Sequence, residues 1–377
     1  MAAEEQPERR DRRRWRPLLA VAALVLAALL IAWRGSAVGL WVSGVSSPFE
    51  SRPSRILFLG WDAQERVQLF VTRAQGGTTR VLTDAPLGVV DYAPAPDGGS
   101  VAFSSERDDG GSDVWQVAIG QDGEESAEPE LLLDCGGDSC TGLTFAPDGR
   151  LLYERRAAGE APEAGRLWWL VPDNAQTAPL FSDEQLKAQA ARFSIDGAWL
   201  AYIVPSRNAL QLYDFDSGDL LELPDEVGEP VAWHPSQPRL VHSNIEHQGE
   251  SFSVHLWRVD LPSGEALDLS GESVTNDASP DWSLDGRWIV FGRRLPRTPQ
   301  GRQLWLVRAD GSDSRALTDD LQSNFGLPDW SPDGQQILVQ RFDVAEPASR
   351  PGIWLVDVED GALHEVAGTG FQPAWLP

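Results

Sequence analysis

Pro328-Asp329-Trp330-Ser331-Pro332-Asp333-Gly334 is the phrase that decides the fold, and Pro280-Asp281-Trp282-Ser283-Leu284-Asp285-Gly286 repeats it almost letter for letter. Looser copies read Ala-Pro-Asp-Gly from Ala95, Phe-Ala-Pro-Asp-Gly from Phe145, Phe-Ser-Ile-Asp-Gly from Phe193 and Trp-His-Pro-Ser-Gln from Trp233. Gly tolerates positive φ and Asp hydrogen-bonds its own turn backbone, so each Asp-Gly reads as a turn and not as chemistry. Short apolar stretches lie between these turns, and the phrase returns about every 40–50 residues. That period with that punctuation predicts an all-β chain, a β-propeller in which each repeat is one four-stranded blade.

Aligning the repeats gives a blade count. The aromatic of the third strand falls at Phe70, Trp115, Trp169, Tyr213, Trp257, Trp305 and Trp354. The aromatic of the first strand falls at Tyr92, Phe145, Phe193, Trp233, Trp282, Trp330 and Trp375, with an extra residue or bulge needed after Tyr92. The second strand carries Phe58, Phe103, Tyr153, Tyr202, His242, Phe291 and Val339. The expectation is seven blades, with six or eight as alternatives. The opening repeat lacks its first strand, and the last eight residues, Gly370 to Pro377, supply a first strand and nothing more. Pairing the two ends would split one blade between the termini and close the ring without a free edge. Most of the 16 tryptophans are then packing between blades.

The chain has 377 residues and a formal charge of −26. Residues 1–50 hold seven Arg and five acids, so the remainder carries about −28. A surface that acidic repels phosphate backbones, which excludes nucleic acid as a partner. Six Arg (Arg9, Arg10, Arg12, Arg13, Arg14, Arg16) precede an uncharged apolar run from Pro17 to Trp33. The organisation expected is an Arg-rich cytoplasmic tail (1–16), a transmembrane anchor (17–34), a Gly/Ser/Pro-containing linker (35–54) and a propeller (55–377). The positive-inside rule then places the propeller outside the cytoplasm, in a single-pass protein of the cell membrane. The other reading of the run is a cleaved secretory signal, although Gly35-Ser36-Ala37 makes a poor cleavage site.

Residues 95–124 and 331–361 carry a resemblance. The turn phrase is followed by a small-apolar-Phe second strand, a polar loop and a third strand such as Ile353-Trp354-Leu355-Val356. In this the chain resembles the TolB-type, WD-like propeller repeat of bacterial envelope proteins, over about residues 55–377. The resemblance implies the propeller fold, an extracytoplasmic setting and a habit of binding other proteins. Two departures bear on it: the small α/β domain that precedes the propeller in TolB is replaced by the apolar run, and the count is seven where TolB has six.

Related propellers cap serine peptidases, but no G-x-S-x-G elbow is present and no sequence outside the blades could form a hydrolase sheet. Four of the five histidines (His234, His242, His247, His255) fall within one repeat without metal-ligand spacing. His242 stands where other repeats place an aromatic ring. Glu106 to Asp113 resembles a calcium loop in composition only, since the alternating acidic spacing is missing. Residues just before the first-strand aromatic face the central channel, and Thr144, Arg192, Asp281 and Asp329 are the candidates at its mouth; an Arg among carboxylates there is either a site or charge compensation. A candidate binding loop holds Arg293, Arg294, Arg297 and Arg302. Cys135 and Cys140 are the only cysteines, and outside the membrane they could close a six-residue ring. The function expected is a non-enzymatic scaffold that binds a protein, peptide or envelope polymer, with no cofactor. The alternative is a propeller-type enzyme, a lyase or lactonase, with a metal near the channel.

Overall fold

The computed structural model describes residues 54–120, 127–249, 251–271, 274–295, 298, 300–346 and 348–377. The tail, the anchor and nearly all of the linker inferred above lie outside these residues. Among the described residues no helix is long and apolar enough to cross a membrane.

The chain opens with β1 (Arg55–Trp61), β2 (Val67–Arg73) and β3 (Arg80–Val81). Antiparallel four-strand meanders follow in strict succession. They are β4 (Val89–Pro94), β5 (Ser100–Glu106), β6 (Ser112–Ala118) and β7 (Glu130–Leu133); then β8 (Ser139–Phe145), β9 (Leu151–Arg156), β10 (Arg166–Val171) and β11 (Gln176–Pro179). Next come β12 (Gln189–Phe193), β13 (Trp199–Val204), β14 (Ala209–Asp214) and β15 (Leu220–Pro224), then β16 (Ala232–Trp233), β17 (Arg239–Gln248), β18 (Ser251–Asp260) and β19 (Glu265–Asp268). The series ends with β20 (Asn276–Trp282), β21 (Trp288–Arg294), β22 (Gln303–Arg308) and β23 (Arg315–Ala316), and with β24 (Ser323–Trp330), β25 (Gln336–Asp343), β26 (Gly352–Asp357) and β27 (Leu363–Ala367). The last strand, β28 (Phe371–Trp375), pairs antiparallel with β1, so the two ends of the chain share one sheet in the order β28-β1-β2-β3.

Two joints between meanders were not foreseen. A single parallel pair, Ser112 with Ser139, joins β6 to β8, and Val254 with Asn276 joins β18 to β20. Hydrogen bonding therefore links two pairs of neighbouring meanders into eight-stranded sheets, while the other three sheets have four strands.

Burial falls from the first and second strands to the fourth. β13 is buried at every residue and β1 at Ile56 to Gly60, because a second strand has a neighbouring meander on each face. Such strands read as continuous apolar runs. The fourth strand β11 is exposed throughout. The core accordingly lies between meanders: Leu57, Leu59 and Leu69 pack with Val101, Phe103 and Val117, and Val290, Leu304 and Leu306 with Phe325, Ile337 and Val339. Burying such a side chain is worth about 1.5–3 kcal/mol, so the ring coheres through these seams.

The turn phrase does what its residues suggest. Asp285 Oδ1 accepts the Ser283 hydroxyl at 2.7 Å and the Arg287 N–H at 3.0 Å, and Asp333 does the same for Ser331 and Gln335. Gly286 has φ +68°, and a Cβ there would lie 2.3 Å from His234 Nε2, so the turn needs glycine for both conformation and space.

Candidate functional site: a ring of side chains on the central cavity

The first strands converge on one cavity of about 700 Å³. Its wall includes the residue before the aromatic in each first strand: Asp91, Thr144, Arg192, Ala232, Asp281, Asp329 and Ala374. All four residues expected at the channel mouth are therefore brought together. Asp91 was missed because the residues around Tyr92 do not align without a gap, and Glu229, which also lines the cavity, lies before its strand begins.

A repeated bulge shapes this wall. Pairing of first to second strand slips between Gln189 and Arg192, between Ala278 and Asp281, and between Gly326 and Asp329. A residue in each slip is left-handed: Ala190 (φ 55°), Ser279 (φ 52°) and Leu327 (φ 49°), with Gly142 (φ 62°) and Gln372 (φ 48°) at the matching points of β8 and β28. Left-handed backbone costs a non-glycine residue about 1–2 kcal/mol. Side chains from neighbouring segments steady it. Glu154 accepts the Ala190 N–H at 2.8 Å, Glu229 the Ser279 N–H at 2.9 Å and the Gln340 amide oxygen the Gln372 N–H at 3.0 Å.

Beyond the bulge, the ring carboxylates latch each meander to the next. Asp281 accepts the Trp330 N–H at 3.0 Å while the Trp330 indole donates to the Asp281 carbonyl at 3.3 Å. Asp329 and Trp375 repeat the pattern at 2.9 and 3.2 Å, which fastens β28 to β24. Asp91 accepts the Leu143 N–H at 2.7 Å and the Tyr92 N–H at 2.8 Å. At Arg192 only the indole half survives, with Trp233 donating to the Arg192 carbonyl at 3.0 Å. The Arg192 guanidinium donates to the Ala191 carbonyl at 2.8 Å, and no carboxylate of the described residues forms an ion pair with it.

Burial pushes Asp91, Glu154, Asp281 and Asp329 above the usual carboxylate range, although each residue keeps part of its surface exposed. For Asp329 the neighbouring Asp281 charge pushes further in the same direction. Burial lowers Arg192 despite the nearby charges of Asp91 and Glu154.

No protein-family model matches the chain, and no curated protein sequence matches it either. Solved structures do. TolB from Acinetobacter baumannii is 16% identical over 86% of this chain and 67% of that one, with a TM-score of 0.50. The β-propeller domain of the Trilobed protease from Pyrococcus furiosus is 12% identical over 74% and 84%, with a TM-score of 0.53. The fold is a TolB-like β-propeller. An oligogalacturonate lyase in complex with manganese is also similar, 14% identical over 84% and 86%, with a TM-score of 0.56. At such identities the likeness is one of fold, and one propeller hosts many activities.

The expected arginine loop needs correction. Arg293 is only 8% exposed, donates to both oxygens of buried Asp277 at 2.8 and 2.6 Å, and stacks over Trp305 at 4.6 Å. It is a repeat position of the propeller: Arg155 pairs with Asp138 at 2.7 Å, and Arg341 pairs with Asp320 at 2.9 Å while stacking over Trp354 at 4.7 Å. Removing one partner of such a pair leaves an uncompensated charge, so Arg293 belongs to the fold. Arg302 is half-buried, and burial lowers its pKa. Arg294 is exposed, and Arg297 lies outside the described residues.

A second constellation imitates catalysis. His255 Nε2 lies 3.1 Å from Ser253 Oγ, and Nδ1 lies 3.0 Å from Asp268 Oδ2. These are the distances of a Ser-His-Asp triad. Ser253 and His255 are, however, 3% and 2% exposed. His255 stands two residues before a third-strand aromatic, where Gln68, Asp113, Gln211 and Gln303 tie the third strand to its outer neighbours. Gln68 accepts the Thr83 hydroxyl at 2.7 Å, Gln303 accepts that of Thr318 at 3.0 Å, and Gln211 donates to Glu222 at 2.6 Å. The trio is a version of this tether, with its hydroxyl buried. His242, also buried, lies 3.4 Å from Asp225.

Cys135 and Cys140 are joined by a disulfide and fully buried beside the β6–β8 joint. The loop they close positions Asp138, whose carbonyl accepts the Ser112 N–H and whose carboxylate holds Arg155. In the loop from Glu106 to Asp113, Arg107 pairs with Asp109 and Asp113, so two of its four acids are spent on the hairpin.

Proposed function

We propose that the chain is a membrane-anchored binding scaffold: seven four-stranded blades, one of them shared between β28 and the first strands, held outside the cytoplasm by the apolar run at residues 17–34. It binds a protein, peptide or envelope polymer and performs no chemistry on it. The observation that carries this reading is the use made of the channel carboxylates. Asp91, Asp281 and Asp329 each spend an oxygen on a backbone N–H of the next meander. Carboxylates committed to joining blades are poor ligands for the metal that a lyase or lactonase would need. The loops, in contrast, differ from blade to blade on a rigid ring, which suits recognition.

The test uses the full chain purified in detergent, as bait for partners cross-linked in intact cells and as catalyst on uronate oligomers and lactones with added manganese. Partner capture that survives a chelator, with no turnover, is the expected pair of results. Metal-dependent turnover abolished by Asp281→Asn or Asp329→Asn would replace the scaffold by the enzyme.

A further inference from the structure

The ring residue before each first-strand aromatic does not repeat in chemistry, although everything around it does. In ring order the positions read Asp91, Thr144, Arg192, Ala232, Asp281, Asp329 and Ala374. The latch alone does not call for this choice. It needs one side-chain oxygen to accept a backbone N–H, and Asn provides that oxygen without charge. Burial holds Asp281 and Asp329, on neighbouring blades and lining the same cavity, above the usual carboxylate range, and at Asp329 the Asp281 charge adds to that effect. The fold thus tolerates a charge pair that its own packing disfavours.

Arg192 presents the complementary anomaly. Its ring neighbours are Thr144 and Ala232, which are short and uncharged, and its guanidinium makes one hydrogen bond, to the adjacent carbonyl of Ala191. Asp91 and Glu154 are near enough to act on it, but both Asp91 oxygens are committed to the N–H groups of Leu143 and Tyr92, one Glu154 oxygen is committed to that of Ala190, and neither acid forms an ion pair with it among the described residues. A guanidinium has five N–H donors in a planar fork that matches a carboxylate. Arg192 lines the cavity, and apart from the bond to Ala191 its guanidinium has no protein acceptor among the described residues.

We infer that the central cavity is a binding site for a small zwitterion, of amino-acid or dipeptide size, whose carboxylate meets Arg192 and whose ammonium group meets the Asp281–Asp329 pair. The cavity, at about 700 Å³, holds such a molecule with room for water. An ammonium group between the two aspartates relieves their repulsion and leaves both latches in place, since each latch uses a single oxygen. An anion alone would face the carboxylates unaided, and a cation alone would leave Arg192 unmatched. Opposed charges on one ligand satisfy both walls and fix its direction in the channel. This inference deepens the scaffold reading and rests on it, by giving the ring a ligand class of its own.

The probes are ω-amino acids of increasing length, from glycine through 4-aminobutyrate to 8-aminooctanoate, with hexanoate and hexylamine as single-charge controls. Binding to the purified full chain is measured by calorimetry, and folding of each variant by its melting temperature. The expected result is saturable binding with an optimum at one chain length, weakened by about tenfold or more in either control and in Arg192→Gln and Asp281→Asn. Asp281→Asn keeps the acceptor for Trp330, so the variant remains folded. Absence of binding across the series, binding of hexanoate equal to that of its amino acid, or binding of manganese that depends on Asp281 but not on Arg192 would each overturn the proposal. Partner capture by Arg192→Gln separates the two readings: if capture persists while no probe binds, the ring site falls and the scaffold stands.

Discussion

At the scale of single residues, the ring aspartates invert the usual pH dependence of a carboxylate. A group whose pKa is raised on folding stabilises the native state fully below its unfolded pKa, about 3.9 for aspartate, and that contribution is lost as pH rises through the folded value. Asp329 is raised by burial and by Asp281, so its share of stability declines from acid toward neutral and mildly alkaline pH. Turn acids such as the partly exposed Asp214 and the exposed Asp310 are lowered by hydrogen bonds to their own turns and act in the opposite sense, their contribution being lost as pH falls through their lowered values. Asp329→Asn keeps an acceptor for the Trp375 N–H and removes the charge. Its melting temperature relative to the unsubstituted protein should therefore climb between about pH 5 and about pH 8, by a few degrees for a domain of this size. A difference that stays constant across that range, followed by calorimetry, would show that Asp329 is ionised throughout.

At the scale of elements, the decisive strand is β28. It adds to β1 through Ile56–Trp375 and Leu57–Ala374, Leu376 donates to the Arg55 carbonyl at 2.9 Å, and the Asp329 latch ties Trp375 to the preceding meander. Deleting residues 371–377 exposes β1 and β24 together and removes a tryptophan that is 8% exposed. Losing that side chain alone costs about 3–5 kcal/mol, so the truncated chain should melt far lower or fail to fold, whereas Trp375→Phe should fall between. An unchanged melting temperature for the deletion would mean that the ends do not hold each other. This pairing was legible in the sequence because an aromatic at a fixed distance from a turn survives every repeat. The third-strand tether was not, because Gln68, Asp113, Gln211, His255 and Gln303 do one job with three residue types. Arg293 was misread for a related reason: it begins the run Arg293-Arg294-Leu295-Pro296-Arg297, which looks like a basic loop, yet it is still inside β21 and faces Asp277. The joint through Ser112 and Ser139 leaves no trace in sequence at all, since parallel contact between a third strand and the next first strand needs only that their ends meet. The ring was half legible. The positions followed from register, but Asp91 hid behind an irregular strand, and the latches depend on a bulge that no residue type marks.

At the scale of the whole molecule, the chain's asymmetry makes its placement testable. Six arginines stand before the apolar run, while the remainder carries about −28 and both cysteines. Positive charge is retained on the cytoplasmic side, and a disulfide persists in an oxidising compartment but is kept reduced by the cytosolic thiol pool. The two arguments are independent, one resting on the first residues and one on a buried bond at Cys135 and Cys140. Both support the proposed placement of the propeller outside the membrane. Cells quenched with acid, denatured and treated with a polyethylene-glycol maleimide report the bond directly, because there are two cysteines and each reduced thiol adds one increment of mass. The expected pattern is no adduct without prior reduction and two after it, together with digestion of the propeller when protease is added to intact spheroplasts. Burial of both sulfurs does not confuse the result, since labelling follows denaturation. Two adducts without reductant, with the propeller protected from protease and the arginine tail cut, would reverse the orientation. The acidic ring and its loops would then meet cytosolic partners, and the envelope setting would have to be abandoned along with the polymer among its proposed ligands.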